Sequence, residues 1–185
     1  MINEIHAAAQ ERMDQAIEHT QGELASLRTG RANPRMVDHI KVDYYGSLQP
    51  LKTLANISVP EPRLLVVEPY DKSQIGEVEK AIMKADIGMM PNSDGNVLRL
   101  QIPELTEERR RALVKLAHEM VEEGKVSVRN IRRDANQELK EHAKSHEISE
   151  DNLHRALDNF QDLTDAHIKQ LEELQKVKEE EILND

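Results

Sequence analysis

Several residue types that build cores and reactive sites are missing or rare in this chain. It has no cysteine, no tryptophan and a single phenylalanine, Phe160, among 185 residues. The absence of cysteine excludes disulfide bonds, thiol nucleophiles and cysteine-ligated zinc, and it fits a reducing compartment. Because aromatic residues are so few, we expect an aliphatic core built from leucine, isoleucine, valine and methionine.

Long hydrophobic runs are also absent from the sequence. No apolar stretch approaches the roughly 20 residues that a membrane-spanning helix requires. The first nine residues are polar and do not form the apolar segment of a signal peptide. We therefore expect a cytoplasmic protein that does not enter a membrane.

The motifs of catalysis and nucleotide binding do not occur either. There is no phosphate-binding glycine loop, dinucleotide fingerprint or nucleophile elbow. The stretch His118-Glu-Met-Val-Glu122 begins like a zinc-binding helix, but glutamate stands where the second histidine belongs. His142 and His146 have ligand spacing without a third ligand, so we expect histidines that face solvent. The sequence predicts no enzymatic activity, no metal and no cofactor.

Three long amphipathic helices account for most of the chain. Apolar residues recur at steps of three and four over residues 2–29, 106–145 and 149–183, which is the spacing of one buried helix face. The second helix has the most regular series, namely Leu113, Leu116, Met120, Gly124, Val128, Ile131, Ala135 and Leu139. The series in the third helix includes Phe160, Thr164, Ile168 and Leu171. Three such faces can close into a bundle.

Between the first two helices the pattern changes to the two-residue alternation of strands. We predict strands at 40–45, 54–59, 64–68 and 97–102, a short helix at 73–85 and a loop at 88–95. The expected fold class is α+β: a long three-helix bundle, residues 1–30 and 106–185, with a small α/β domain, residues 31–105, inserted between helices 1 and 2.

The helix boundaries carry recognisable signals. We expect Asn3, Thr106 and Ser149 to cap the three helix starts, since each is a residue type favoured at that position. Gly30 is placed to end the first helix in a left-handed conformation, and Pro34 prevents its continuation. The two links between the domains, near 30–34 and 102–106, are short. Either they form a hinge, or their glycine and proline are ordinary punctuation between domains.

A basic strip marks the second helix, formed by Lys125, Arg129, Arg132, Arg133 and Lys140. The three arginines have no acidic residue three or four positions away, so they lack the ion pairs that usually neutralise a helix surface. Residues 107–144 contain 10 basic and 8 acidic residues, whereas residues 145–185 contain 4 and 12, within a chain of net charge −10.

Two interpretations of this strip remain open at this point. The arginines are either solvated or paired with acids of a neighbouring helix, or they bind a polyanionic partner. The three tyrosines, Tyr44, Tyr45 and Tyr70, are too few for a base-stacking surface. Any contact with RNA should therefore use arginine and phosphate groups.

Several segments in order resemble bacterial ribosome recycling factors, over the whole length of the chain. They are Arg28-Thr-Gly-Arg-Ala-Asn-Pro34, Tyr44-Tyr-Gly46, Glu79-Lys-Ala-Ile82, Pro91-Asn-Ser93, Leu105-Thr-Glu-Glu-Arg-Arg110 and Val128-Arg-Asn-Ile-Arg-Arg-Asp-Ala135. The resemblance implies a two-domain monomer with an outline like that of tRNA. It would bind the post-termination ribosome and, with elongation factor G and GTP, promote subunit splitting and the release of mRNA and tRNA.

The resemblance also assigns roles to residues of this chain. It implies contacts with large-subunit rRNA through the basic strip and near the joint, by Arg129, Arg132, Arg133, Lys125, Arg28 and Arg31. It places a flexible joint at Gly30, Arg31, Pro103 and Glu104. The alternatives from other classes are a helical adaptor or chaperone whose arginines pair with acids of a protein partner, and a hydrolase that uses surface carboxylates.

Overall fold

The computed structural model describes residues 1–184 of the chain. Within them, five α-helices and six strands follow one another in this order: α1 (Ile2–Ser26), β1 (Lys41–Tyr44), β2 (Ser47–Pro50), α2 (Leu51–Leu54), β3 (Ala55–Glu61), β4 (Leu64–Pro69), α3 (Ile75–Lys84), β5 (Pro91–Ser93), β6 (Leu98–Gln101), α4 (Glu107–Lys144) and α5 (Glu150–Asn184). Residues 1–28 and 107–184 form one compact unit, and residues 29–106 form a second. No helix in residues 1–184 is long and apolar enough to cross a membrane.

The first unit is a bundle of the three long helices α1, α4 and α5. Each buries one face against the other two, and the fully buried side chains are mostly aliphatic: Met13, Leu113, Leu139, Leu171 and Ile182, with Phe160. The predicted fold class, a three-helix bundle with a β unit inserted between the first two long helices, is confirmed.

The buried residues of α4 differ in part from the predicted series. Ala117 and Val121 are fully buried, whereas Leu116 is 38% exposed and Met120 is half-buried. At 100° per residue, Leu116 lies roughly 100° from the centre of the buried face. At these two steps the prediction chose the larger apolar residue, but the helix turns the smaller residue after it, Ala117 or Val121, toward its neighbours.

A similar shift occurs on α5. His167 is buried and Ile168, the predicted core residue, is only half-buried. The imidazole is accommodated because both of its nitrogens have partners. Nδ1 lies 2.7 Å from the carbonyl oxygen of Leu163, and Nε2 lies 2.7 Å from Oδ1 of Asp14 on α1.

At Gly124, in the middle of α4, the three helices approach one another closely. An ideal Cβ built on Gly124 would lie 2.4 Å from Oγ1 of Thr20 on α1 and 3.3 Å from Cδ2 of Leu171 on α5. Glycine disfavours a helix interior, so its presence here reflects the space that packing leaves.

Two of the predicted helix ends are wrong, and one is confirmed. The N-cap of α1 is Met1, so Asn3 lies inside the helix. The same helix ends at Ser26, whose hydroxyl donates to the carbonyl of Glu23, and Gly30 is not left-handed. Ser149 does cap α5, because its Oγ accepts from the amide of Asn152 at 3.2 Å.

The second unit contains two antiparallel sheets. The strands β1 and β2 form a hairpin, and the other four strands pair in the order β3-β4-β6-β5. Its core is aliphatic, with Val42, Leu51, Leu65, Ile82 and Leu100 fully buried. Strand β5 was predicted as part of a loop. It is an edge strand that begins at Pro91, a position where the missing N–H of proline removes no inner hydrogen bond.

Candidate nucleic-acid interface

We define the arginine cluster as Arg129, Arg132 and Arg133 on α4, and none of its members has an acidic partner in the part of the chain that the structure describes. In residues 1–184, no carboxylate lies within ion-pair distance of any of the three guanidinium groups. Arg132 Nη1 donates to Oε1 of Gln161 on α5 at 2.8 Å, and Arg133 Nη1 donates to Oδ1 of Asn130 at 3.1 Å. Both of these partners are neutral amides. Pairing with acids of the neighbouring helix, an interpretation that the sequence left open, is therefore not observed for this cluster.

Gln161 separates Arg132 from the nearest acid along its hydrogen-bond chain. Its Oε1 accepts from the arginine, while its Nε2 donates to Oδ1 of Asp165 at 2.8 Å. The amide thus orients the guanidinium group without neutralising its charge. Four of the five N–H donors that an arginine carries remain outside this contact.

Lys125 belongs to the same strip in sequence, but its environment is different. Its Nζ lies 3.2 Å from Oε1 of Glu122 and 3.1 Å from Oε1 of Glu172 on α5, and its side chain is 11% exposed. Burial acts to lower the pKa of Lys125, but the hydrogen bonds and charges of Glu172 and Glu122 outweigh it and raise that pKa. Lys125 is therefore charged and already neutralised. The sequence contained part of this signal, since Glu122 stands three residues before it.

Asn136 is a polar residue of the same region that sequence reasoning missed. It follows Arg132 by four positions and is half-buried. Its side-chain Oδ1 is buried without a hydrogen-bond partner in the described residues. An unsatisfied buried acceptor costs about 1–3 kcal/mol. Only its position one turn after Arg132 could have indicated it.

Arg28 and Arg31, the other predicted contacts with rRNA, lie at the boundary of the two units. Arg28 ends the first segment of the helical unit, and Arg31 belongs to the second unit. Each makes interactions with neighbouring groups.

The links that contain the predicted joint residues are tied to one turn of the second unit, between β3 and β4. The amide of Ala32 donates to the carbonyl of Pro62 at 2.7 Å, and the amide of Ile102 donates to that of Arg63 at 2.9 Å. Glu104 forms an ion pair with Arg63 at 2.6 Å.

The two links also meet each other, because the ideal Cβ position of Gly30 lies 3.5 Å from Cγ of Leu105. Pro103 lies within the second link, between the tied residues Ile102 and Glu104. Both links are thus held to the second unit.

Two of the three histidines noted in the sequence contact other side chains. His142 contacts Glu147 through Nδ1, and His118 Nδ1 lies 3.1 Å from Nε2 of Gln175. His146 follows α4 with a positive φ of 59°. Across residues 1–184, no group of three or more histidine or acidic side chains is arranged to hold a metal ion.

The fold and the arginine cluster define a binding protein built on a long helix bundle with an inserted β unit. Residues 20–183 match the family described as ribosome recycling factor, and the chain belongs to this family. The ribosome-recycling factor of Natranaerobius thermophilus is 55% identical over 181 residues and covers 98% of each chain. That of Halothermothrix orenii is 50% identical over 183 residues, with 99% of each chain covered.

Solved structures of the family resemble the whole chain. A solution structure of ribosome recycling factor has a TM-score of 0.76 and 42% identity, covering 100% of this chain and 98% of the other. A second structure has a TM-score of 0.63 and 43% identity, with 99% of each chain covered. It represents the T. thermophilus ribosome recycling factor and the E. coli elongation factor G bound to the E. coli post-termination complex.

Family membership confirms three predictions made from the sequence. The chain is a ribosome recycling factor by family, it has the corresponding α+β fold, and its family consists of translation factors rather than enzymes. The bacterial relatives also support the predicted cytoplasmic location.

Proposed function

We propose that this chain binds the post-termination ribosome together with elongation factor G. Using GTP hydrolysis by that factor, it promotes subunit splitting and the release of mRNA and tRNA. The support is the family match over residues 20–183 and the similarity to a recycling factor bound, with elongation factor G, to a post-termination complex. The chain itself would supply binding and positioning, while the translocase supplies the energy.

The arginine cluster is the proposed contact with large-subunit rRNA, and its lack of acidic partners is the observation that carries this assignment. In a chain of net charge −10, three guanidinium groups without acidic neighbours form a local positive surface that can attract a polyanion. Phosphate oxygens match the fork of N–H donors on arginine, and their neutralisation releases bound counterions. Arg129 is the freest member, since no side chain in residues 1–184 accepts a hydrogen bond from it.

Lys125, Arg28 and Arg31 are also candidate contacts with rRNA, but we expect them to contribute less to binding than the arginine cluster. Lys125 would have to exchange Glu122 and Glu172 for phosphate, so its contribution to binding should be smaller than that of Arg129 or Arg132. Arg28 and Arg31 would act near the joint of the two units, with their present interactions replaced or extended by rRNA.

We further propose that the chain has two domains, residues 1–30 with 106–185 and residues 31–105, joined by a hinge that includes Gly30, Arg31, Pro103 and Glu104. The hydrogen bonds from Ala32 and Ile102 and the ion pair of Glu104 attach the links to the β3–β4 turn and so limit bending at these residues. Because these ties hold Ala32, Ile102 and Glu104 to the second unit, we expect the rotation of this hinge to be greatest at Gly30 and Arg31 in the first link and just after Glu104 in the second.

The rRNA assignment is tested by the substitution R132A, with R111A as the matched control. Arg111 is an exposed arginine on the same helix, but it forms an ion pair with Glu107 four residues earlier. Co-sedimentation with post-termination ribosomes is measured at several salt concentrations. R132A should weaken binding about tenfold and reduce the salt slope by about one, because one phosphate contact is lost.

Under the same conditions, R111A should bind like the unmodified chain. The fold of both variants is checked by circular dichroism. Unchanged affinity and slope for R132A would refute the role of the cluster. The recycling activity itself is read from sucrose-gradient profiles of purified post-termination ribosomes, with and without the chain, elongation factor G and GTP.

A further inference from the structure

A second surface, on the unit of residues 29–106, has features that rRNA binding by the arginine cluster leaves unexplained. All three tyrosines of the chain belong to this unit. Tyr45 and Tyr70 are 69% and 71% exposed, although aromatic side chains are otherwise scarce. Exposed aromatic residues are enriched at binding surfaces, where they contribute contact area at a small entropic cost.

Tyr45 occupies a backbone position that a bulky residue disfavours. The β1–β2 hairpin closes at the pair Tyr44 and Ser47, so Tyr45 and Gly46 are the two central residues of its turn. Their φ values are +49° and +85°, as a type I′ turn requires. Asparagine is favoured at the first of these positions, and a large side chain there is an outlier. The turn itself gives no reason for a tyrosine.

The ring of Tyr45 is held in place by two contacts. Its hydroxyl donates to Oδ2 of Asp71 at 2.8 Å. Its ring meets that of Tyr44 edge-on, with centroids 4.7 Å apart and planes at 80°. We call Tyr44, Tyr45 and Asp71 the tyrosine platform. An aromatic side chain that is exposed and also fixed is already organised for binding.

The carboxylate of Asp71 accepts hydrogen bonds that favour its ionised form. Oδ1 of Asp71 accepts from the amide of Ser73 at 3.1 Å and from its hydroxyl at 2.6 Å. Together with the bond from Tyr45, these hydrogen bonds hold the pKa of Asp71 below its usual value. Four lone-pair sites on two oxygens leave room for a further donor.

An ionised carboxylate beside an exposed aromatic ring is a combination that recognises cations. A guanidinium group can stack on the ring while it donates hydrogen bonds to the carboxylate. An RNA phosphate would be repelled by Asp71 and by Asp43, whose carboxylate accepts from the amide of Gly46 in the same turn. We propose that the tyrosine platform binds an arginine side chain on the surface of a partner protein.

The first test is a titration followed by NMR, with the isotope-labelled full chain and the peptide acetyl-Gly-Arg-Gly-amide. Saturable shifts should appear at the amides of Gly46 and Ser73. The peptide with citrulline in place of arginine has a similar shape but no charge, and it should bind at least fivefold more weakly. Equal shifts with both peptides would overturn the proposal.

Two variants and a control locate the binding. Y45N and D71N should each weaken the peptide at least fivefold, and asparagine at 45 suits the turn, so the fold is kept. L48S is the control, because Leu48 is also 69% exposed in this hairpin. It pairs with Asp43, so its side chain lies on the face opposite to Tyr44. Full binding by Y45N, or an equal loss in L48S, would contradict the assignment.

A last experiment distinguishes a protein partner from RNA. Benzoylphenylalanine replaces Tyr70, next to the platform, and the chain is cross-linked in purified post-termination ribosomes with elongation factor G. Attachment to a protein segment that contains arginine supports the proposal. Attachment to rRNA alone, or no attachment by a chain that co-sediments, overturns it. Failure to co-sediment would instead contradict ribosome binding, and the peptide titration would still decide on the platform.

Discussion

Substituting alanine for Gly124 should destabilise the helical unit, although alanine has the higher helix propensity. Alanine favours a helix interior by about 1 kcal/mol over glycine. The new Cβ, however, would lie 2.4 Å from Oγ1 of Thr20 and 3.3 Å and 3.4 Å from the two Cδ atoms of Leu171. Thr20 is buried and Leu171 belongs to the third helix, so relief of the contact requires α4 to move or the packed side chain of Thr20 to change its rotamer.

The net effect follows from comparing these two terms. Overpacking of a well-packed core costs about 1–3 kcal/mol, and a separation of helices forfeits contacts along their length. We place the cost at the upper end of that range because a 2.4 Å approach has to open by about 1 Å. After the helix gain is subtracted, G124A should lower the free energy of unfolding by about 1–2 kcal/mol.

The matched control is G22A, on α1. Gly22 is also inside a helix, but nothing lies within 4 Å of its ideal Cβ. This variant should therefore raise the free energy of unfolding by about 0.5–1 kcal/mol. Both are compared by denaturant unfolding followed at 222 nm, a signal dominated by the long helices.

A double-variant cycle identifies the clash. T20A removes Oγ1, so the cost of G124A should fall by at least about 1 kcal/mol in that background. If G124A stabilises the chain as much as G22A does, the helices do not approach as closely as the structure indicates. If T20A gives no relief, the clash with Thr20 is not the source of the cost.

Three further predictions follow from contacts of the helical unit. Q161E should turn the neutral partner of Arg132 into an ion pair, but the new carboxylate loses the hydrogen bond to Asp165 and repels it, so stability should stay near its present value or fall slightly. Ribosome binding should weaken severalfold, with a shallower salt slope. Unchanged binding would show that Arg132 does not need its free charge. D14A should lower the free energy of unfolding by about 1–3 kcal/mol, because Nε2 of the buried His167 loses its acceptor, and an unchanged free energy of unfolding would exclude a structural role for this pair. S149A should cost about 1 kcal/mol through the lost cap of α5, and a thermal melt that matches the unmodified chain would contradict it.

The features that were predicted correctly are those that local sequence controls. The three long helices follow from apolar residues at steps of three and four, and the start of α5 follows from the serine at 149. The arginine cluster was found in the same way, because the missing acids at three and four positions can be read directly. Residues three and four positions apart are adjacent on a helix surface, so the neighbours of each arginine on α4 are known from the sequence.

The errors concern positions where a second segment decides. Leu116 and Ala117 are both acceptable on an apolar helix face, and the approach of α1 and α5 selects the smaller residue for the core. Strand β5 has little strand character of its own and exists by pairing with β6. His167 is buried because Asp14, far away in sequence, supplies an acceptor.

The sequence by itself determined the class of fold, the aliphatic core and the row of arginines without local acids, since these depend on composition and on spacing within one segment. Only the tertiary structure decided that Lys125 is neutralised by Glu172, that Arg132 meets an amide and that Gly124 cannot be larger. The physical reason is that each of these depends on which face of α4 meets α1 and α5. That choice is made by the packing of all three helices together, so no window of a single helix contains it.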